Sequence, residues 1–348
     1  MGFGSSEVGG ELLRAVAEFE AGVAARDAEL TGSGFDAIRQ TFGQAGPAEV
    51  RECGPRLAAL LTSAPEGVRA VVAVIVGACV ERGADAGLCA PGVFAGMREA
   101  FEDVAEFCAL WEESGGGTFP DPEEPGQGPD GEAAERTGFG PALAWWTLPQ
   151  WQMAAFALLN EEAGRGQVPC RGELLALLAR IEWACEERGG PSLKGLRYAL
   201  RVLDGEPLVV LHRESSAGFL VRIGGIGDNF QLHTLLADAL VGGGHLPGTP
   251  PSAEAVAVCR DVEGQVLTQG SFNLVGADGA WIWNEGDPAD IPPVNGTRVL
   301  VLDPEPYARS WPAGRYFPGM RGGLVVERVL SRDESRTWLS HTTPAQTG

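Results

Sequence analysis

The hydrophobic pattern of the chain changes period once, near residue 204, and that switch limits the fold more than any other feature of the sequence. Before it, apolar residues recur at three- and four-residue steps, and Leu12, Leu13, Val16, Phe19 and Val23 lay one stripe along a helix. After it, short runs of Val, Leu, Ile and Phe stand between turn residues, the pattern of strands. The chain is therefore read as α+β overall. An all-helical N-terminal domain (a bundle or a short solenoid-like array) covers 1–204, and a smaller α+β domain with a mostly antiparallel sheet covers 205–348. No repeat period supports a longer array.

Local signals place the helices. Ser63-Ala64-Pro65-Glu66 reads as a capping box ahead of Val68–Val80, which is apolar on nearly every face and expected at the centre. Pro91 suits the first turn of a helix carrying Phe94, Met97, Phe101, Val104, Phe107, Cys108 and Trp111. Residues 114–138 are rich in Gly, Pro and acid, with no base before Arg136. Lacking aliphatic residues to offset ordering entropy, they are expected to form a flexible acidic linker inside the helical domain. Helices resume at Pro141 and run through Arg171–Glu187 and Leu193–Leu203.

In the second domain, Leu208–His212 and Phe219–Ile223 flank Glu214–Gly218 and read as a hairpin. A helix is expected from Asn229 to Val241. Further strands are expected at Ala255–Cys259, Phe272–Val275, Ala280–Trp283, Arg298–Leu302 and Leu324–Leu330, with a turn at Ala277-Asp278-Gly279. Ser331-Arg-Asp-Glu334 is a capping box for a terminal helix.

Charge narrows the partners. The chain carries 47 acidic and 26 basic side chains, a net charge of -21. Residues 1–200 hold 30 acids and 15 bases, and residues 201–348 hold 17 and 11. Such a field repels nucleic acid and anionic membrane, so neither is expected as a partner. A basic protein is the expected partner, with an encounter that salt weakens. Lys194 is the only lysine, which points to a GC-rich, bacterial type of coding genome, and no GxxxxGK[ST] motif surrounds it. The seven cysteines form no CxxC and lie within apolar runs, as buried thiols in a reducing compartment do. Met1–Glu7 lacks the basic and apolar regions of a leader, and the longest apolar run, Ala70–Val80, is about half a bilayer span. The expected location is cytoplasmic.

Two regions hold the candidate sites. The first is Arg222-Ile-Gly-Gly-Ile-Gly-Asp-Asn-Phe-Gln-Leu-His233, a strand, a glycine-rich turn and a helix start. Backbone N–H groups of Gly224, Gly225 and Gly227 at such a helix start suit an anion, although the glycine spacing is not a dinucleotide fingerprint. Asp228 with Gln231 also fits an ordinary capping box. His233, His212 and Asp228 are the candidate acid/base groups, and Arg222 is expected to converge with them on a pocket. No metal-ligand spacing, GxSxG elbow or cofactor fingerprint is present, so no metal and no cofactor are expected. The second region combines Trp281, Trp283, Arg309, Trp311, Arg315 and Tyr316 on loops, and Trp, Tyr and Arg are the residue types that dominate protein interfaces. The expected function is non-catalytic protein–protein interaction, of the accessory or inhibitor (immunity-type) kind, through this aromatic and arginine surface. The alternative is an enzyme or small-molecule binder built around residues 222–233.

Overall fold

The computed structural model describes residues 10–124 and 126–346. The segment Met1–Glu7 lies outside the described residues. The chain divides into two compact units between Leu200 and Arg201. Helices fill the first, and a mostly antiparallel sheet with helices makes the second, so the fold class is α+β.

The first unit opens with a helical hairpin, α1 (Glu11–Ala25) and α2 (Ala28–Thr41). The Asp27 carboxylate caps α2 by accepting the N–H groups of Glu29 and Leu30. Gly34 lets the two backbones touch, since a Cβ there would sit 2.5 Å from the Phe19 nitrogen. Next come α3 (Pro47–Ala58), α4 (Glu66–Glu81) and α5 (Ala86–Glu113). Half of the residues of the apolar α4 are buried, all between Ala70 and Val80, while Val71 in the same stretch stays exposed.

Two expected helix starts are corrected. Ser63 does not cap α4, because its N–H and that of Ala64 still bond the Leu60 carbonyl in the turn that closes α3. Pro65 stands at the cap position without a side-chain bond. The next helix begins before Pro91, where Asp85 accepts the Leu88 N–H, so Pro91 falls inside the helix.

The acidic segment 114–138 is anchored by an aromatic residue. Phe119 is buried against Trp145 and Phe107, with ring centroids 5.0 and 6.1 Å away. The indoles of Trp145 and Trp111 donate to the Pro120 and Gly117 carbonyls at 2.9 and 3.2 Å. The Arg136 guanidinium donates to the Ser114 carbonyl at 2.9 Å. This segment ends in α6 (Glu132–Thr137), and α7 (Phe139–Trp146), α8 (Leu148–Leu159), α9 (Glu162–Arg165), α10 (Arg171–Arg188) and α11 (Lys194–Arg201) follow.

The second unit begins with the expected hairpin, β1 (Glu206–His212) and β2 (Ala217–Gly224). Then come α12 (Asn229–Ala237), α13 (Ala253–Arg260), β3 (Val266–Gln269), β4 (Asn273–Gly276), β5 (Pro293–Val294), β6 (Thr297–Asp303), β7 (Ser310–Ala313), β8 (Gly323–Val329) and α14 (Arg332–Leu339). The main sheet runs β4-β6-β1-β2-β8, with β5 beside β6, and only β1 and β6 pair in parallel. Leu208-Val209-Val210-Leu211 is apolar without alternation because both faces of the central strand are covered. Leu208 and Val210 join a core with Leu232, Leu235 and Leu236 of α12, whereas Val209 and Leu211 pack with Leu330, Trp338 and Ala345 on the other side. Ser331 and Glu334 form the expected capping box of α14.

Two expected strands are corrected. Ala255–Cys259 lies in α13, where the Ser252 hydroxyl accepts the Ala255 N–H and starts a helix. Ala280–Trp283 makes a single bridge, Trp281 to Val275, rather than a strand. No helix among the described residues is long and apolar enough to cross a membrane.

Candidate functional site

The glycine-rich turn spends its donors internally. Gly225, held at φ +64°, gives its N–H to the Leu203 carbonyl and the Asp204 carboxylate, each at 3.2 Å. The Gly227 N–H bonds the Gln231 amide oxygen at 3.0 Å, and the Gln231 amide nitrogen in turn donates to the Cys259 carbonyl at 2.7 Å. Gly224 ends β2, where it stands opposite Gly323 of β8. Asp228 caps α12 through the Gln231 N–H at 2.8 Å, and burial pushes its carboxyl up to about 6. The capping box is half formed, because the Gln231 side chain turns to Gly227 instead of Asp228.

Arg222 does not join the two histidines, which both pack against the Phe272 ring with centroids 6.3 and 5.9 Å from it. His233 is fully buried, its Nε2 accepting the Ser271 N–H at 3.0 Å, with its ring stacked on Phe272 and edge-on to Trp311. Burial, reinforced by the Arg309 charge, pushes it down to about 4. His212 closes β1 with its Nδ1 2.7 Å from the Ser215 hydroxyl, and burial lowers its pKa. Arg222 projects from the exposed side of β2 to Glu327 at 2.6 Å, away from α12, because neighbouring residues of a strand face opposite ways. Among the described residues, no three His, Cys, Asp or Glu side chains are grouped to hold a metal ion.

The aromatic and arginine segment separates into two environments. Trp311 is a core residue, turned inward by the alternation of β7 against Phe230 and His233. Arg309 donates to the Phe272 carbonyl at 2.6 Å, and Arg315 reaches the Met320 and Val262 carbonyls, so both tie loops together. Tyr316 rests edge-on against Phe317. Trp281 and Trp283, by contrast, stand 5.6 Å apart at the mouth of a cleft of about 920 Å³.

That cleft is assembled from four stretches of chain. The turn after β4 supplies the two tryptophans, and the loop after β6 supplies Pro304, Pro306 and Tyr307. The end of β1 supplies Arg213 and Glu214, and Pro344–Gln346 form a further wall. Trp283 and Tyr307 are 61% and 55% exposed. Arg213 pairs with Asp303 at 2.7 Å, an ion pair whose carboxylate is 9% exposed. Asn273 is buried in the wall, and among the described residues its side chain makes no hydrogen bond. Of the lining residues, Trp281 and Trp283 are among those the sequence singles out as binding candidates. Arg213, Tyr307 and Asn273 are not, although Pro304-Glu-Pro306-Tyr307 carries the signal of an exposed loop with an aromatic tip.

No family model matches this chain, and neither the curated proteins nor the solved structures contain a match to it.

Proposed function

We propose that the protein is a non-catalytic interaction protein, of the accessory or inhibitor (immunity-type) kind, that holds a protein partner through the aromatic cleft of its C-terminal unit. The observation that carries this reading is the cleft itself, where Trp283 and Tyr307 stay largely exposed beside Trp281 and three prolines. Trp and Tyr side chains lining a concavity and left exposed to water are residue types that a bound partner can bury as anchors. The net charge of -21 adds a long-range pull toward a basic partner. The alternative site at residues 222–233 has less support. Its loop N–H groups are bonded within the chain, and His233 lies in the core.

Affinity capture at low salt tests this reading, with the full chain and a W283A/Y307A double variant as baits. A defined partner retained by the wild type and lost from the double variant supports it. An identical set of captured proteins overturns it.

A further inference from the structure

We infer that the cleft takes an extended, proline-containing stretch of polypeptide with a basic residue beside its prolines. This rests on the protein-binding reading above and names the chemistry of what is bound.

The chain itself supplies a first indication. Its segment Thr343-Pro344-Ala345-Gln346 runs along one wall of the cleft, with the Thr343 and Gln346 N–H groups bonded to the Ala277 and Gly279 carbonyls at 2.9 Å each. Arg213 holds the Thr343 carbonyl at 2.8 Å. One side of the cleft is thus already formed by an extended segment with a central proline. The remaining space lies between that segment and the aromatic walls.

The free groups facing this space define the occupant. Proline rings set an extended chain in the polyproline conformation and pack on flat aromatic faces, as Trp283 and Tyr307 offer. Polyproline backbone makes no internal hydrogen bonds, so its carbonyls need outside donors. Asn273, buried in the wall with an amide that bonds nothing else among the described residues, is placed to provide one. Charge selects the flanking residue. Asp303 is neutralised by Arg213, but Glu214 is exposed at the rim and has no ion pair among the described residues. A Lys or Arg beside the prolines pairs with Glu214 and is attracted by the net negative charge of the whole chain.

Random-peptide phage display on the immobilised full chain at low salt, followed by titration of a synthetic consensus peptide, tests the inference. Enriched peptides should carry proline next to Lys or Arg. W283A should weaken the consensus peptide by about tenfold or more. E214Q should weaken it less at high salt than at low salt, and E214R should enrich peptides that lack the basic residue. Trp283 and Glu214 are exposed, so unchanged melting temperatures of these variants separate lost binding from lost folding. Peptides that depend on Trp283 but lack proline or a basic residue overturn the inference and leave the protein-binding reading standing. Failure to enrich any peptide, or binding of oligosaccharides in place of peptides, also overturns it. Capture of the same partners by the W283A/Y307A variant removes the protein-binding reading itself.

Discussion

Arg213 and Asp303 lie at the ends of two strands paired in parallel, and one guanidinium nitrogen approaches the carboxylate to 2.7 Å while another holds the Thr343 carbonyl at 2.8 Å. One side chain therefore joins the sheet, the ion pair and the C-terminal segment. R213A should destabilise the second unit by about 1–3 kcal/mol, less than a fully buried pair would cost because Arg213 is partly exposed. Hydrogen exchange should locate the loss. Protection at the Thr343 and Gln346 amides should fall while that of the β1 and β6 amides persists.

Two groups on and beside α12 respond to acid in opposite senses. His233 has a folded pKa of about 4, below that of an unfolded histidine, so the unfolded chain takes up the proton first and stability is lost as pH falls from about 6.5 toward 4. Asp228, raised to about 6, is protonated first in the folded chain, so its contribution to stability grows as pH falls through the same range. The two offset one another in the wild type. D228N keeps a good helix cap but removes the compensating proton. Its stability relative to the wild type should decline steadily between pH 6 and 4 in urea denaturation. A constant difference over that range would refute the opposed titrations.

Thiol chemistry should single out one residue. Six of the seven cysteines are buried, and burial pushes Cys79, Cys89 and Cys108 up to about 12 and Cys259 up to about 11. Cys170 is the half-buried one, its Sγ facing the Phe94 carbonyl at 3.4 Å. Iodoacetamide near pH 8 should modify Cys170 slowly in the native protein and all seven in denaturant, as peptide mass mapping would show.

Gly34 and Gly172 are both helical, and alanine should act on them with opposite signs. A methyl group at Gly34 would meet the Phe19 backbone, which cannot move without parting α1 from α2. G34A should cost about 1–3 kcal/mol. Gly172, exposed in the first turn of α10, has nothing within 4 Å of the position of a Cβ. G172A should stabilise by up to about 1 kcal/mol through helix propensity alone. Thermal melts of the two variants check the pair.

Local chemistry is legible where a residue answers to its own neighbours. The hairpin at Glu214–Gly218, the Ser331 capping box and the central apolar α4 all follow from residues adjacent in sequence. Ala255–Cys259 misleads because a short apolar run fits either period, and Ser252 with its capping hydroxyl outweighs the run. Trp311 reads as a binding residue by type, yet Ser310-Trp-Pro-Ala313 alternates outward and inward, which places the indole in the core. Phe119 shows that a single aromatic can anchor a segment whose composition otherwise suggests disorder. The cleft is the least legible feature. Its walls come from the end of β1, the turn after β4, the loop after β6 and the C-terminal segment, and only the strand register brings these together.

The parallel pairing of β1 with β6 also governs the order of assembly. Leu208 must find Arg298, so the central strand of the sheet waits for a strand about 90 residues further along the chain. Until then the hairpin β1–β2 presents an apolar, unpaired edge at Leu208-Val209-Val210-Leu211, the kind of surface that recruits other chains. During synthesis the β1 edge is therefore open to aggregation between the emergence of the first hairpin and the arrival of Asp303, and the β2 edge until β8 follows. Truncations ending in that interval are the forms of this protein that chaperones would bind.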